Sequence, residues 1–129
     1  MPRFHFHLRA HRMIHRDVEG TDLPDLAAAR AHAADVAREL MAHSDVGTRH
    51  WSIYVEDAQG ERQFDLLFPE VDARLGVCSP EMRMLAVETC RRMGALIDAF
   101  CAARATQTEA RILLARARGR PQLVYAKGT

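Results

Sequence analysis

The sequence predicts an α+β protein: a four-stranded, mainly antiparallel β-β-α-β-β sheet with one covering helix, followed by a long helical extension. Three observations carry that reading. Segments with an apolar residue at every second position flank an Ala-rich stretch whose apolar residues recur at three-and-four spacing. Asp57-Ala58-Gln59-Gly60 has turn chemistry between two of those segments. From Ser79 onward a helix start is followed by a long run in which neither Pro nor Gly interrupts 95–118. The chain is thereby divided into a β-β-α-β-β domain at 1–70, a helical extension at 79–118 and a tail at 119–129.

Residues 2–9 alternate. Phe4, Phe6 and Leu8 point one way, and Arg3, His5, His7 and Arg9 the other, which is the period of a half-buried strand. Ala10-His11 is placed at the turn, although neither residue favours the positive φ of a two-residue loop, so a longer or bulged connection is expected. Residues 12–17 make the second strand, ended by Glu19-Gly20. The helix runs from about Pro24 to about His43 and buries Leu26, Ala29, Ala33, Val36 and Leu40. Pro24 suits a first turn that needs no N–H, and Asp22 and Asp25 suit the positive end of the helix dipole. The third strand, 50–57, turns Trp51, Ile53 and Val55 to one face and Ser52, Tyr54 and Glu56 to the other. The fourth, 61–68, turns Phe64, Leu66 and Phe68 inward until Pro69 stops it. The face carrying Arg3, His5, His7, Arg9, Tyr54, Gln63 and Asp65 is expected to meet water or a partner.

After a connector at 70–78, Ser79-Pro80-Glu81 supplies an N-cap, a first-turn proline and a first-turn carboxylate. Met82, Ala86, Thr89, Met93, Leu96 and Phe100 then follow a four-three seam, which weakens through Ala103, Gln107 and Ala110. The spacing allows one long helix or two that break near 104–108. So much apolar surface beside a 69-residue domain predicts pairing between chains, with Met82, Leu85, Met93, Leu96, Ile97 and Phe100 at the interface.

Hydrophobic content of 48% and charged content of 27% are those of a soluble globular chain. No apolar run reaches the roughly 20 residues that span a bilayer, and the first nine residues alternate instead of forming a signal-peptide core. Three cysteines without a C-x-x-C pair suit reduced thiols, so a cytoplasmic location is expected. The net charge of +1 hides an asymmetry: residues 1–78 balance at −4 and residues 79–129 at +5.

Met1-Pro2-Arg3-Phe4-His5-Phe6-His7-Leu8, then Glu19-Gly20-x-x-Leu23-Pro24-Asp25-x-x-Ala28-Ala29-Arg30, Val55-x-Asp57-x-x-Gly60 and Phe68-Pro69 together resemble a group of small bacterial proteins. That group is known mainly as a domain of unknown function. The resemblance covers residues 1–70 and implies no activity, cofactor or catalytic residue. Its members usually carry an Asp-Gly-type turn between the first two strands, where this chain has Ala10-His11.

Two constellations bear on chemistry. His5 and His7 share a strand face about 6–7 Å apart, and with His15 from the next strand they are candidates for a zinc site, against the plainer reading of surface residues between Arg3 and Arg9. Arg111, Arg116, Arg118, Arg120 and Lys127 follow the last acidic residue, Glu109, and make a basic arm suited to phosphates or simply to the negative end of the helix dipole. Cys90 and Cys101 fall on nearly one helical face as small packing residues. No Ser-His-Asp spacing, phosphate loop or dinucleotide fingerprint is present, so neither enzymatic activity nor a cofactor is expected. The expected function is a non-enzymatic interaction and assembly module that self-associates through its C-terminal helices. The alternative is an antitoxin-like, nucleic-acid-binding regulator that uses the basic arm.

Overall fold

The computed structural model describes residues 1–43 and 47–119, so the expected tail lies outside the described residues from Arg120 onward, as does part of the loop expected after the first helix. The order of elements is β1 (Arg3–Ala10), β2 (Met13–His15), β3 (Thr21–Asp22), α1 (Leu26–His43), a 3-10 turn (Thr48–His50), β4 (Ser52–Asp57), β5 (Arg62–Leu67), α2 (Phe68–Val71), a second 3-10 turn (Ala73–Val77) and α3 (Pro80–Ala117). The sheet is antiparallel in the order β2-β1-β4-β5, with β3 also paired to β1. The α+β class is therefore observed, with one short strand more than the sequence showed. Two residues are too few to display a period of two; β3 is held to β1 by the register Arg3↔Asp22 and by an Arg3 Nε to Asp22 contact of 2.9 Å.

The first hairpin turns one residue later than expected. Ala10 pairs with Met13, leaving His11-Arg12 as a two-residue loop with φ of 52° and 63°. Positive φ at both positions is the type I′ geometry, whose twist matches that of the strands. Ala10 is buried in the sheet, and the His11 ring meets the edge of Trp51 at 5.0 Å, so packing overrides local turn preference. Replacing His11→Asn together with Arg12→Gly is expected to stabilise the protein by about 1 kcal/mol. The denaturant midpoint should rise at constant m. A fall would show that the ring contact outweighs the backbone strain.

The second hairpin follows its sequence signal. Gly60 has φ +81° and its N–H donates to the Asp57 carbonyl at 3.0 Å, while Asp57 Oδ1 accepts from the N–H groups of Gln59 and Glu61 at 2.9 Å each. A register shift between Val55 and Glu56 completes the bulge.

Helix α1 begins behind Asp25, whose Oδ1 accepts the Ala28 N–H at 2.8 Å. Its inner stripe is Ala29, Ala33 and Ala37, all fully buried, and these methyls bring the helix close to Phe4, Ile53, Val55, Phe64 and Leu66. Val36 and Leu40 pack at the flanks of that core, and Leu26, expected inside, is largely exposed at the first turn. Phe68 closes the same core from α2.

Helix α3 is a single unbroken helix, with Ser79 Oγ accepting the Met82 N–H at 3.2 Å. The chain forms two compact units, Met1–Ile97 and the part from Asp98 onward. In the first unit the sheet face opposite α1 divides: Arg3, Gln63 and Asp65 are exposed as expected, whereas its middle, His7, Arg9, Ser52 and Tyr54, is buried. Cys90, Gly94 and Ile97 of α3 cover it. A Cβ at Gly94 would stand 3.5 Å from Ser52 Oγ and 3.6 Å from Arg9 Cδ, so this turn of the helix lies directly against the sheet. The Cys90 thiol donates to the Trp51 carbonyl at 3.2 Å, and burial pushes it up to about 11.

Candidate functional site

The polar sheet face carries a hydrogen-bond network. Asp17, from the loop after β2, is its hub. The Asp17 carboxylate accepts the N–H groups of Phe6 (3.1 Å) and Gly20 (3.0 Å). The Asp17 carbonyl accepts from His5 Nδ1 at 2.9 Å, and the Asp17 N–H donates to His7 Nδ1 at 3.1 Å. Since His7 Nδ1 accepts, Nε2 carries the proton and donates to Glu56 Oε1 at 2.8 Å. Beside it, the Tyr54 ring lies 4.5 Å from the Arg9 guanidinium and 4.1 Å from that of Arg62. Burial raises the Tyr54 hydroxyl above its ordinary value, helped by Glu56 and opposed by Arg16, Arg62 and Arg9. Arg9 also reaches Ser52 Oγ at 3.1 Å and Asp65 Oδ2 at 3.5 Å.

This network separates the candidate histidine ligands. The His5 and His7 rings stack with centroids 6.3 Å apart, close to the strand estimate, but both nitrogens of His7 are engaged within the protein. His15 stands opposite Leu8 in the ladder and therefore lies on the α1 face, away from His5 and His7. Among the described residues, no group of three or more His, Cys, Asp and Glu side chains is placed to hold a metal ion.

The accessible chemistry of the first unit lies on α3. The stripe that covers the sheet is Cys90-Gly94-Ile97, and the seam read from the sequence, Thr89-Met93-Leu96, precedes it by one residue at each step. One residue is about 100° around a helix. The seam therefore looks out: Met82 and Leu85 are exposed, Leu96 is 69% exposed and Met93 is half-buried. Ile97 departs from its expected place at the interface. It is 7% exposed, because it belongs to the covering stripe.

Two depressions border this outward face, neither visible in the sequence because each joins α3 to the segment after β5. A groove of about 910 Å³ has Pro69, Met84, Leu85 and Val87 in its lining, with Glu70 and Glu81 among the charges. Arg83 turns its guanidinium to the Cys78 carbonyl, and Arg91 pairs with Glu88 at 3.5 Å. A smaller pocket of about 250 Å³ lies among Arg49, Leu75, Met82 and Leu85. Beside it Asp72 is held below the usual carboxylate range, chiefly by the hydrogen-bonded Arg74 guanidinium at 2.9 Å and against its own burial.

In the second unit, Phe100, Ile112, Leu113 and Leu114 are exposed, and the Arg104 guanidinium lies 5.9 Å from the Phe100 ring. Arg111, Arg116 and Arg118 are exposed as well; Arg120 lies outside the described residues. None of the described helices is long and apolar enough to cross a membrane.

A family model described as a domain of unknown function, DUF6894, matches residues 3–69, which span β1 to the first residues of α2. No curated protein and no solved structure matches the chain.

Proposed function

The chain belongs to the DUF6894 family through residues 3–69, and from that premise we propose that α3, which follows the family domain, makes the protein a non-enzymatic assembly module that self-associates. One observation carries this reading. Leu85 and Leu96 stand 61% and 69% exposed on the side of α3 turned away from the stripe that the protein itself covers. An apolar row of this size on a helix otherwise docked to its own sheet suits burial against another protein surface, here that of a second copy.

Light scattering across a dilution series, on the full chain and on a Leu85→Asp plus Leu96→Asp variant, checks it. The full chain should exceed its monomer mass. The variant, with two exposed apolar side chains made charged, should dissociate at roughly 100-fold higher concentration while its circular dichroism stays unchanged. A full chain that is monomeric throughout the series defeats the reading.

A second reading rests on the exposed Arg111, Arg116 and Arg118, with no acidic residue after Glu109: a nucleic-acid-binding regulator. It requires binding to DNA or RNA that weakens as salt rises and is lost when the three arginines become alanine. No binding at low salt excludes it.

A further inference from the structure

We propose that the groove beside Met84 and Leu85 is the receptor for the basic end of α3 from a second copy of this chain, so that copies join head to tail. The inference rests on the self-association reading and names the partner surface within it.

The groove and the arm match in chemistry. The groove lining is apolar at Pro69, Met84, Leu85 and Val87. Its lining carries Glu70, Glu81 and Glu88 against Arg83 and Arg91, one net negative charge; Arg91 pairs with Glu88 and Arg83 donates to the Cys78 carbonyl, so Glu70 and Glu81 are the carboxylates outside the ion pair. The arm has the complementary pattern. Arg111, Leu114 and Arg118 follow i, i+3, i+7 spacing and share one helical face. The ladder reaches Arg118, whose N–H donates to the Leu114 carbonyl at 3.1 Å. Leu114 is 57% exposed, and so presents one apolar side chain between two cations. Docking it seats Leu114 over Met84 and Leu85 and brings Arg111 and Arg118 to the rim carboxylates. The contact uses two different surfaces, groove and arm: exchanged reciprocally they close a two-fold dimer, and passed on from copy to copy they build a larger ring or an open chain.

Charge reversal on each side tests the match. One variant carries Glu70→Arg and Glu81→Arg; the other carries Arg111→Glu and Arg118→Glu. All four positions are exposed, and circular dichroism checks that both variants fold. Each variant alone should associate at least about tenfold more weakly than the natural chain, with repulsion in place of each rim pair. Mixed one to one they should reassemble, since each then offers the charge the other lacks at both surfaces. Association of the natural chain should also weaken as salt rises. If both variants associate like the natural chain, or the mixture fails to recover, the head-to-tail contact is wrong while self-association stands. If the natural chain is itself monomeric, the assembly reading falls first.

Discussion

Phe68→Ala is expected to destabilise the protein by about 3–5 kcal/mol, the range for removing a buried aromatic side chain. Phe68 is 0% exposed. It follows the last residue of β5, its N–H donates to the Trp51 carbonyl at 3.1 Å, and its ring lies 6.1 Å from that of Trp51. The side chain belongs to the core cluster between α1 and the sheet that also holds Leu66, Phe64 and the fully buried alanines of α1. Those alanines have no longer side chain with which to fill the space a truncation leaves. A domain of this size is stable by only about 5–15 kcal/mol, so the loss is a large share of the total. Urea unfolding should show a lower midpoint at unchanged m. A change below about 1 kcal/mol would mean that the core collapses around the cavity.

Asp17→Ala is expected to cost about 2 kcal/mol at neutral pH and to flatten the acid side of the stability profile. The substitution removes the acceptor of the Phe6 and Gly20 N–H groups, and leaving such donors unmet costs about 1–3 kcal/mol each when they are shielded from water. Burial alone pushes the Asp17 carboxyl upward. The N–H groups of Gly20 and Phe6, the nearby His5 and the Glu19 N–H together outweigh it and hold the carboxyl below its ordinary value. A carboxyl depressed in the folded state stabilises the fold fully above its unfolded pKa, about 3.9, and that contribution is lost as pH falls through the folded value. Asp72 has the same sign through Arg74. The natural chain should therefore lose stability steadily below about pH 4, and the Asp17→Ala variant should lose less over the same interval. Unfolding free energies compared between pH 7 and pH 3 give the result. A variant with the natural acid slope would remove Asp17 from the account.

Much of the fold was legible because half-buried strands and a sheet-covering helix repeat at different periods. Phe4, Phe6 and Leu8, Ile53 and Val55, and Phe64 and Leu66 fall on the α1 side as their alternation required. Asp57 and Gly60 turn the chain where their chemistry places them. The His11-Arg12 turn and strand β3 were not legible. A non-glycine type I′ turn has no local signature, and a two-residue strand is recognised only through its partner. The hub role of Asp17 gave no signal either, for the backbone N–H groups it accepts become its neighbours only when β1 and the following loop come together.

The candidate site divides in the same way. The seam through Met82, Thr89, Met93 and Leu96 follows from helical spacing alone, and the basic run after Glu109 follows from composition. Which stripe of α3 the protein covers was not contained in either. Cys90-Gly94-Ile97 and Thr89-Met93-Leu96 share one period, and the second carries the bulkier side chains. The first lies against Ser52 and Arg9, where a Cβ at Gly94 would already stand in van der Waals contact with both. The sequence by itself determined the strands, the covering helix and the existence of an apolar seam, because those are properties of periodicity. Tertiary structure alone decided that the seam faces outward and the middle of the polar sheet face inward, because that choice depends on the space between surfaces that are distant along the chain.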